Sequence, residues 1–164
     1  MKVTLVVLTV TAIVAVAAGS SHLSAAPNPA RSPARAPCSF ASLPPAARAG
    51  EQSLYGHIKS LRRSGSRFVL RFDPAWLLTG LTATRAALED TGSGDVPNDV
   101  YTRDESHRLL TYLVPAGARA TVLTHGTCST ATTVARLARS VPPAGFWIRL
   151  RNDSVRSIDQ QYHP

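Results

Sequence analysis

Hydrophobic and polar positions alternate with a period of two over several short stretches of this chain, the mark of half-buried strands. Leu54, Gly56 and Ile58 alternate with Tyr55, His57 and Lys59. Residues 62–66 read as a turn. From Arg67 the alternation resumes, with Phe68, Leu70 and Phe72 on one face and Arg67, Val69 and Arg71 on the other. The two stretches predict a hairpin. Asp73-Pro74 then offers a helix cap and a first-turn proline. Leu77, Leu81 and Leu88 recur at helical spacing up to Asp90, with Gly80 as a weak point. Residues 91–99 form a loop rich in Gly, Ser and Asp. Strands are expected over 100–103, 109–114 and 118–124, and a second helix over 130–140 with Val134, Leu137 and Val141 inward. Pro142-Pro143 stops that helix. Phe146 to Arg151 and about Val155 to Gln160 complete the pattern, joined at Asn152-Asp153.

The element order is ββ-α-βββ-α-ββ. Tight turns between strands predict a mainly antiparallel sheet and an α+β class. Short strands with strongly apolar faces leave costly edges unless the sheet curls. The expected fold is therefore a small, partly closed β-barrel or sandwich with two helices.

The first residues follow a different pattern. Met1-Lys2 is a short positive start, and Val3 to Ala18 is apolar apart from Thr4, Thr9 and Thr11. Small residues follow, through Ser24-Ala25-Ala26. Charge, apolar run and small-residue exit describe a secretory signal peptide over 1–26. The run is too short for a comfortable membrane span, which needs about 20 residues. Residues 25–49 hold 6 Pro and 9 Ala, and the prolines at 27, 29, 33 and 37 block helix and sheet pairing. Residues 27–50 are thus expected to be an extended linker and 51–164 a single globular β-rich domain. Export implies a secreted, periplasmic or cell-envelope location, with no integral membrane span once the signal is cleaved.

Charge changes the picture less than it first suggests. The 164 residues carry 18 Lys+Arg against 10 Asp+Glu, a net +8. From Glu51 onward the balance is 14 − 10 = +4. No RNP-type motif or zinc finger is visible, and export removes the usual target, so nucleic acid is not the expected partner. A basic exported protein is drawn to anionic surfaces such as phospholipid heads, wall polymers or an acidic protein.

Cys38 and Cys128 are the only cysteines. In an oxidising compartment an even count reads as a disulfide. A Cys38–Cys128 bridge would close a loop of about 90 residues and contribute up to about 4–5 kcal/mol in the chain-entropy model. His125 and Cys128 have H-x-x-C spacing, but a zinc site needs about four ligands and the remaining candidates are scattered. No metal and no cofactor are expected.

Val96-Pro97-Asn98-Asp99 with Tyr101 and Arg103, Phe72-Asp73-Pro74-Ala75, and the ending Gln160-Gln161-Tyr162-His163-Pro164 resemble segments of a group of small exported bacterial proteins with no assigned function. The likeness runs from about Tyr55 to Pro164. It implies a shared fold and an envelope location, and it carries over no catalytic residue.

Catalytic motifs are sparse. There is no G-x-S-x-G elbow, and Ser129 or Thr130 reads as a helix cap. Asp90, Asp95, Asn98 and Asp99 share one loop, but Gly92 and Gly94 occupy positions where a calcium loop needs oxygen donors. Asp73, Asp99, Asp104, Glu105, His107 and His125 are available for acid–base work, which needs a sheltered pair. The most distinctive feature is the first hairpin, where Lys59, Arg62, Arg63, Arg67 and Arg71 fall before the next acid, Asp73. Lys59, Arg67, Arg71 and His57 form the candidate anion-binding face; the plainer alternative is a charged, solvated edge that resists aggregation. The function expected is a non-enzymatic exported module that binds a protein or an anionic envelope component. The alternative is a small secreted hydrolase with a site near the Asp99–His107 loop.

Overall fold

In a computed structural model of the protein, the residues described are 39–40, 46–104, 106, 108–124 and 127–162. They form an α+β fold of nine strands and two α-helices. The strands are β1 (Ser39–Phe40), β2 (Gln52–Ser64), β3 (Arg67–Thr79), β4 (Val100–Arg103), β5 (Leu110–Pro115), β6 (Arg119–Thr124), β7 (Cys128–Thr132), β8 (Gly145–Arg151) and β9 (Ser154–Gln160). The helices are α1 (Gly80–Thr91) and α2 (Val134–Arg139).

The sheet is mostly antiparallel and partly ring-like, without being a regular barrel. Its order is β1-β7-β6-β9-β5-β3-β2-β8, and β8 pairs again with β9, which brings the path round on itself. The closure runs through β9. One of its edges takes β8 antiparallel; the other is shared by β5, at Leu113↔Ser154, and β6, at residues 119–121, both parallel. The β8–β9 connection is a two-residue turn with Asn152 and Asp153 both at positive φ (50° and 57°), the geometry that matches strand twist.

The period-two pattern determines what lies inside. Phe68, Leu70 and Phe72 of β3 meet Phe146, Ile148 and Leu150 of β8, Val155 and Ile158 of β9, Val114 of β5 and Leu61 of β2. Helix α2 adds Val134 and Leu137 to the same cluster. Truncating one of these large buried side chains to Ala costs about 2–5 kcal/mol.

Two sequence expectations about the helices need correction, and the turn expected over 62–66 is confined to residues 65–66, because β2 runs on to Ser64 opposite Arg67. The first helix does not begin at Asp73. Strand β3 runs straight through Asp73-Pro74, because Asp73 and Ala75 are laddered to His57 and Tyr55, and Trp76–Thr79 to β4. The chain leaves the ladder only at Gly80, whose φ of 57° a side chain would oppose. Helix α1 then buries Ala83, Ala86 and Ala87, while Leu81 and Leu88, whose helical spacing marked the helix, are exposed. The second correction concerns residues 128–132, which form β7 against β6 and do not open a helix. The cap of α2 is Thr133, whose Oγ1 accepts from the Arg136 amide at 3.1 Å.

Candidate functional site

The hairpin β2–β3 turns at Gly65, which has φ 58°. From there the register pairs Ser64 with Arg67, Arg62 with Val69, Leu61 with Leu70 and Ser60 with Arg71. Strand β5 lies on the other side of β3 and pairs Pro115 with Arg67, Leu113 with Val69 and Thr111 with Arg71. Since Leu61, Leu70 and Phe68 face the core, Arg62, Arg67 and Arg71 share the outer face with Val69, Leu113 and the hydroxyls of Ser60, Ser64 and Thr111. All three arginines are exposed, and none has an ion pair or hydrogen bond among the described residues. Arg63, on the opposite parity, donates Nε to the Gly65 carbonyl at 3.2 Å.

The other candidates from the sequence have different surroundings. A bulge between Ile58 and Ser60 displaces Lys59 from the regular ladder. Its Nζ reaches Asp73 Oδ2 at 2.9 Å, with the carboxylate side chain 4% exposed and the ammonium half in water. Lys59 therefore stays on the side of Arg71, but its charge is neutralised. Asp73 Oδ1 is buried and has no hydrogen-bond partner among the described residues. His57, opposite Asp73 in the ladder, places Nδ1 3.4 Å from the Ala144 carbonyl oxygen and its ring edge-on to Tyr55 at 6.3 Å. The strands approach closely here: a Cβ on Gly56 would overlap the Asp73 carbonyl oxygen. So the fold brings Arg67 and Arg71 together with Arg62, and seats Lys59 and His57 in a packed region beside them.

A second surface, which sequence reasoning missed, lies at the base of the same hairpin. Tyr55 packs on Trp147 with ring centroids 5.3 Å apart, and Trp147 Nε1 donates to Gln161 Oε1 at 2.9 Å. Burial holds the Tyr55 phenol above its ordinary pKa, against a hydrogen bond from Thr102 that lowers it. Leu54, Tyr55, Pro74, Trp76, Leu77 and Trp147 line a groove of about 290 Å³, and Trp76 is 61% exposed. The signal missed was Trp76 itself, which the helical spacing of the leucines had drawn into α1.

Comparison with known proteins gave no match. Neither a protein family, nor a curated protein, nor a solved structure resembles the chain closely enough to count.

The remaining carboxylates have structural partners or solvent. Asp159 accepts from Thr121 Oγ1 at 2.8 Å and Ser157 Oγ at 2.9 Å, with Arg119 Nη2 at 3.3 Å, and so locks β6 to β9. Asp90 holds Arg103 Nη2 at 2.7 Å and the Tyr101 hydroxyl at 3.2 Å, tying α1 to β4. Asp99 is exposed. No group of three or more metal-binding side chains occurs among the described residues. Glu105, His107, His125 and Cys38 lie outside the described residues, as do the expected signal peptide and most of the linker; Cys128 opens β7, opposite Phe40 of β1.

Proposed function

We propose that this protein is an exported envelope module that binds anionic envelope material through the outer face of β2, β3 and β5. One observation carries the reading: Arg62, Arg67 and Arg71 stand together on that face, exposed and without an acidic partner among the described residues. Guanidinium groups suit phosphate and carboxylate, which they grip bidentately. The membership differs from the sequence expectation, with Arg62 taking the place of Lys59 and His57. The hydrolase alternative draws no support from Asp99, an exposed residue at positive φ.

The test is co-sedimentation with purified cell envelopes. The triple variant Arg62→Gln/Arg67→Gln/Arg71→Gln should sediment several-fold less than the unaltered protein at low salt. The difference should vanish at high salt, because exposed charges are screened over about 8–10 Å at physiological ionic strength. Equal sedimentation at low salt would reduce the face to a solvated edge.

Export also carries the proposal of a Cys38–Cys128 disulfide. Pairing of Ser39–Phe40 with Cys128–Ser129 supports it, since the residue after Cys38 is already in register with β7. Non-reducing peptide mapping of the exported protein should show one cross-linked peptide; two titratable thiols would refute it.

A further inference from the structure

The arginines are not merely clustered but spaced. Arg67, Val69 and Arg71 occupy successive outward positions of β3, and Arg62 sits level with Val69 on the neighbouring strand. Successive outward positions of an antiparallel strand advance about 7 Å, and adjacent strands lie about 4.8 Å apart. The three arginine positions thus fall on three consecutive rows, one per row, about 7 Å apart. The middle row continues sideways into an apolar strip, Val69 and Leu113, the latter 45% exposed. Hydroxyls flank the outer rows at Ser64, Ser60 and Thr111.

Resting on the anion-binding reading above, we infer that this face takes a polyol phosphodiester chain, one phosphate per arginine row and the aliphatic spacers over Val69 and Leu113. The match is one of repeat length. In a 1,3-linked glycerol phosphate chain six single bonds separate successive phosphorus atoms. An extended peptide covers about 3.4 Å with three bonds, so six bonds reach about 7 Å, the row spacing of the sheet. Inorganic polyphosphate separates its phosphorus atoms by two bonds and has no carbon to set on the apolar strip. A single-stranded nucleic acid shares the six-bond repeat, but such strands are held by bases stacked on aromatic rings. The outward positions of these three rows carry no aromatic side chain; the exposed Trp76 lies on the part of β3 that pairs with β4.

The experiment measures binding of the purified full chain to poly(glycerol phosphate), inorganic polyphosphate and oligothymidylate over a salt series. For poly(glycerol phosphate), three neutralised phosphates should give a slope of log K on log salt of about −2 to −3, and each Arg→Gln should reduce its size by about one. Leu113→Ser should weaken poly(glycerol phosphate) about fivefold, from lost apolar contact, and leave polyphosphate unchanged. If Leu113→Ser affects neither polymer, the spacer contact is refuted while the anion-binding reading stands. Tighter binding of oligothymidylate than of poly(glycerol phosphate) would likewise overturn the polyol assignment. Failure to bind any of the three would overturn both readings. Thermal melting of each variant identifies loss of fold.

Discussion

Near its turn the β2–β3 hairpin carries Arg62, Arg67 and Arg71 into water. A few residues down the same ladder, Lys59 lies against a buried Asp73, His57 against Ala144, and Tyr55 against Trp147. Both halves are basic, both alternate with period two, and they share two strands. What separates them is the strand that covers each. The turn half has β5 beside it and solvent over its outer face. The base half has β8 and β4 beside it, and the bulge at Lys59 marks the change from one to the other. A positive charge in the first half is free to meet a ligand; in the second it compensates a carboxylate that water no longer reaches. A basic side chain on this hairpin is therefore left in water or tied to a carboxylate according to its surroundings.

The sharpest way to break this contrast is at the close approach. Gly56→Ala would drive a methyl group into the Asp73 carbonyl oxygen and Pro74, backbone atoms that cannot swing aside. We expect a loss of about 3 kcal/mol, the upper range for overpacking, read as a shift of the urea midpoint. The fold near the turn should survive better than the base, so exchange protection should fall first in Tyr55–His57.

Removing Lys59 should cost less. Lys59→Gln leaves the Asp73 carboxylate without its cation, and a fully buried pair would lose about 3–5 kcal/mol. Because the ammonium here is half in water, about 1–2 kcal/mol is the expectation, measured by the same denaturation. Lys59→Gln combined with Asp73→Asn should recover part of it, which a purely local packing defect would not do. The smallest effect belongs to the turn half: the triple Arg→Gln variant used above should change stability by less than about 0.5 kcal/mol while losing envelope binding. A triple variant as unstable as Lys59→Gln would erase the distinction between the halves.

The candidate face was partly legible beforehand. Arg67 and Arg71 had to point outward together once Phe68, Leu70 and Phe72 turned in. Arg62 had to wait for the register, because a pattern of period two says which side a residue takes but not which residue it meets. Lys59 is not a free cation because it pairs with the buried Asp73, and the one-residue bulge that puts it on that side has no reliable sequence signal. The aromatic groove was hidden for another reason. Asp73-Pro74 is a good helix start in isolation, and only the ladders to β2 and β4 keep the chain extended through Trp76 to Thr79. Tertiary pairing overrode local propensity there.

By itself, then, the order of residues determined the first hairpin, the turn at Asn152-Asp153, the inward rows on β3 and β8, and a curled, mainly antiparallel sheet with two helices. These follow from local alternation and turn chemistry, which act between near neighbours. Tertiary structure alone decided that β9 would receive β5 and β6 in parallel, that α1 would begin at Gly80 and bury alanines instead of leucines, and that Lys59 would be neutralised while Arg62 was not. Each of those outcomes depends on which distant segment arrives alongside, and burial, not sequence neighbourhood, sets whether a charge remains available.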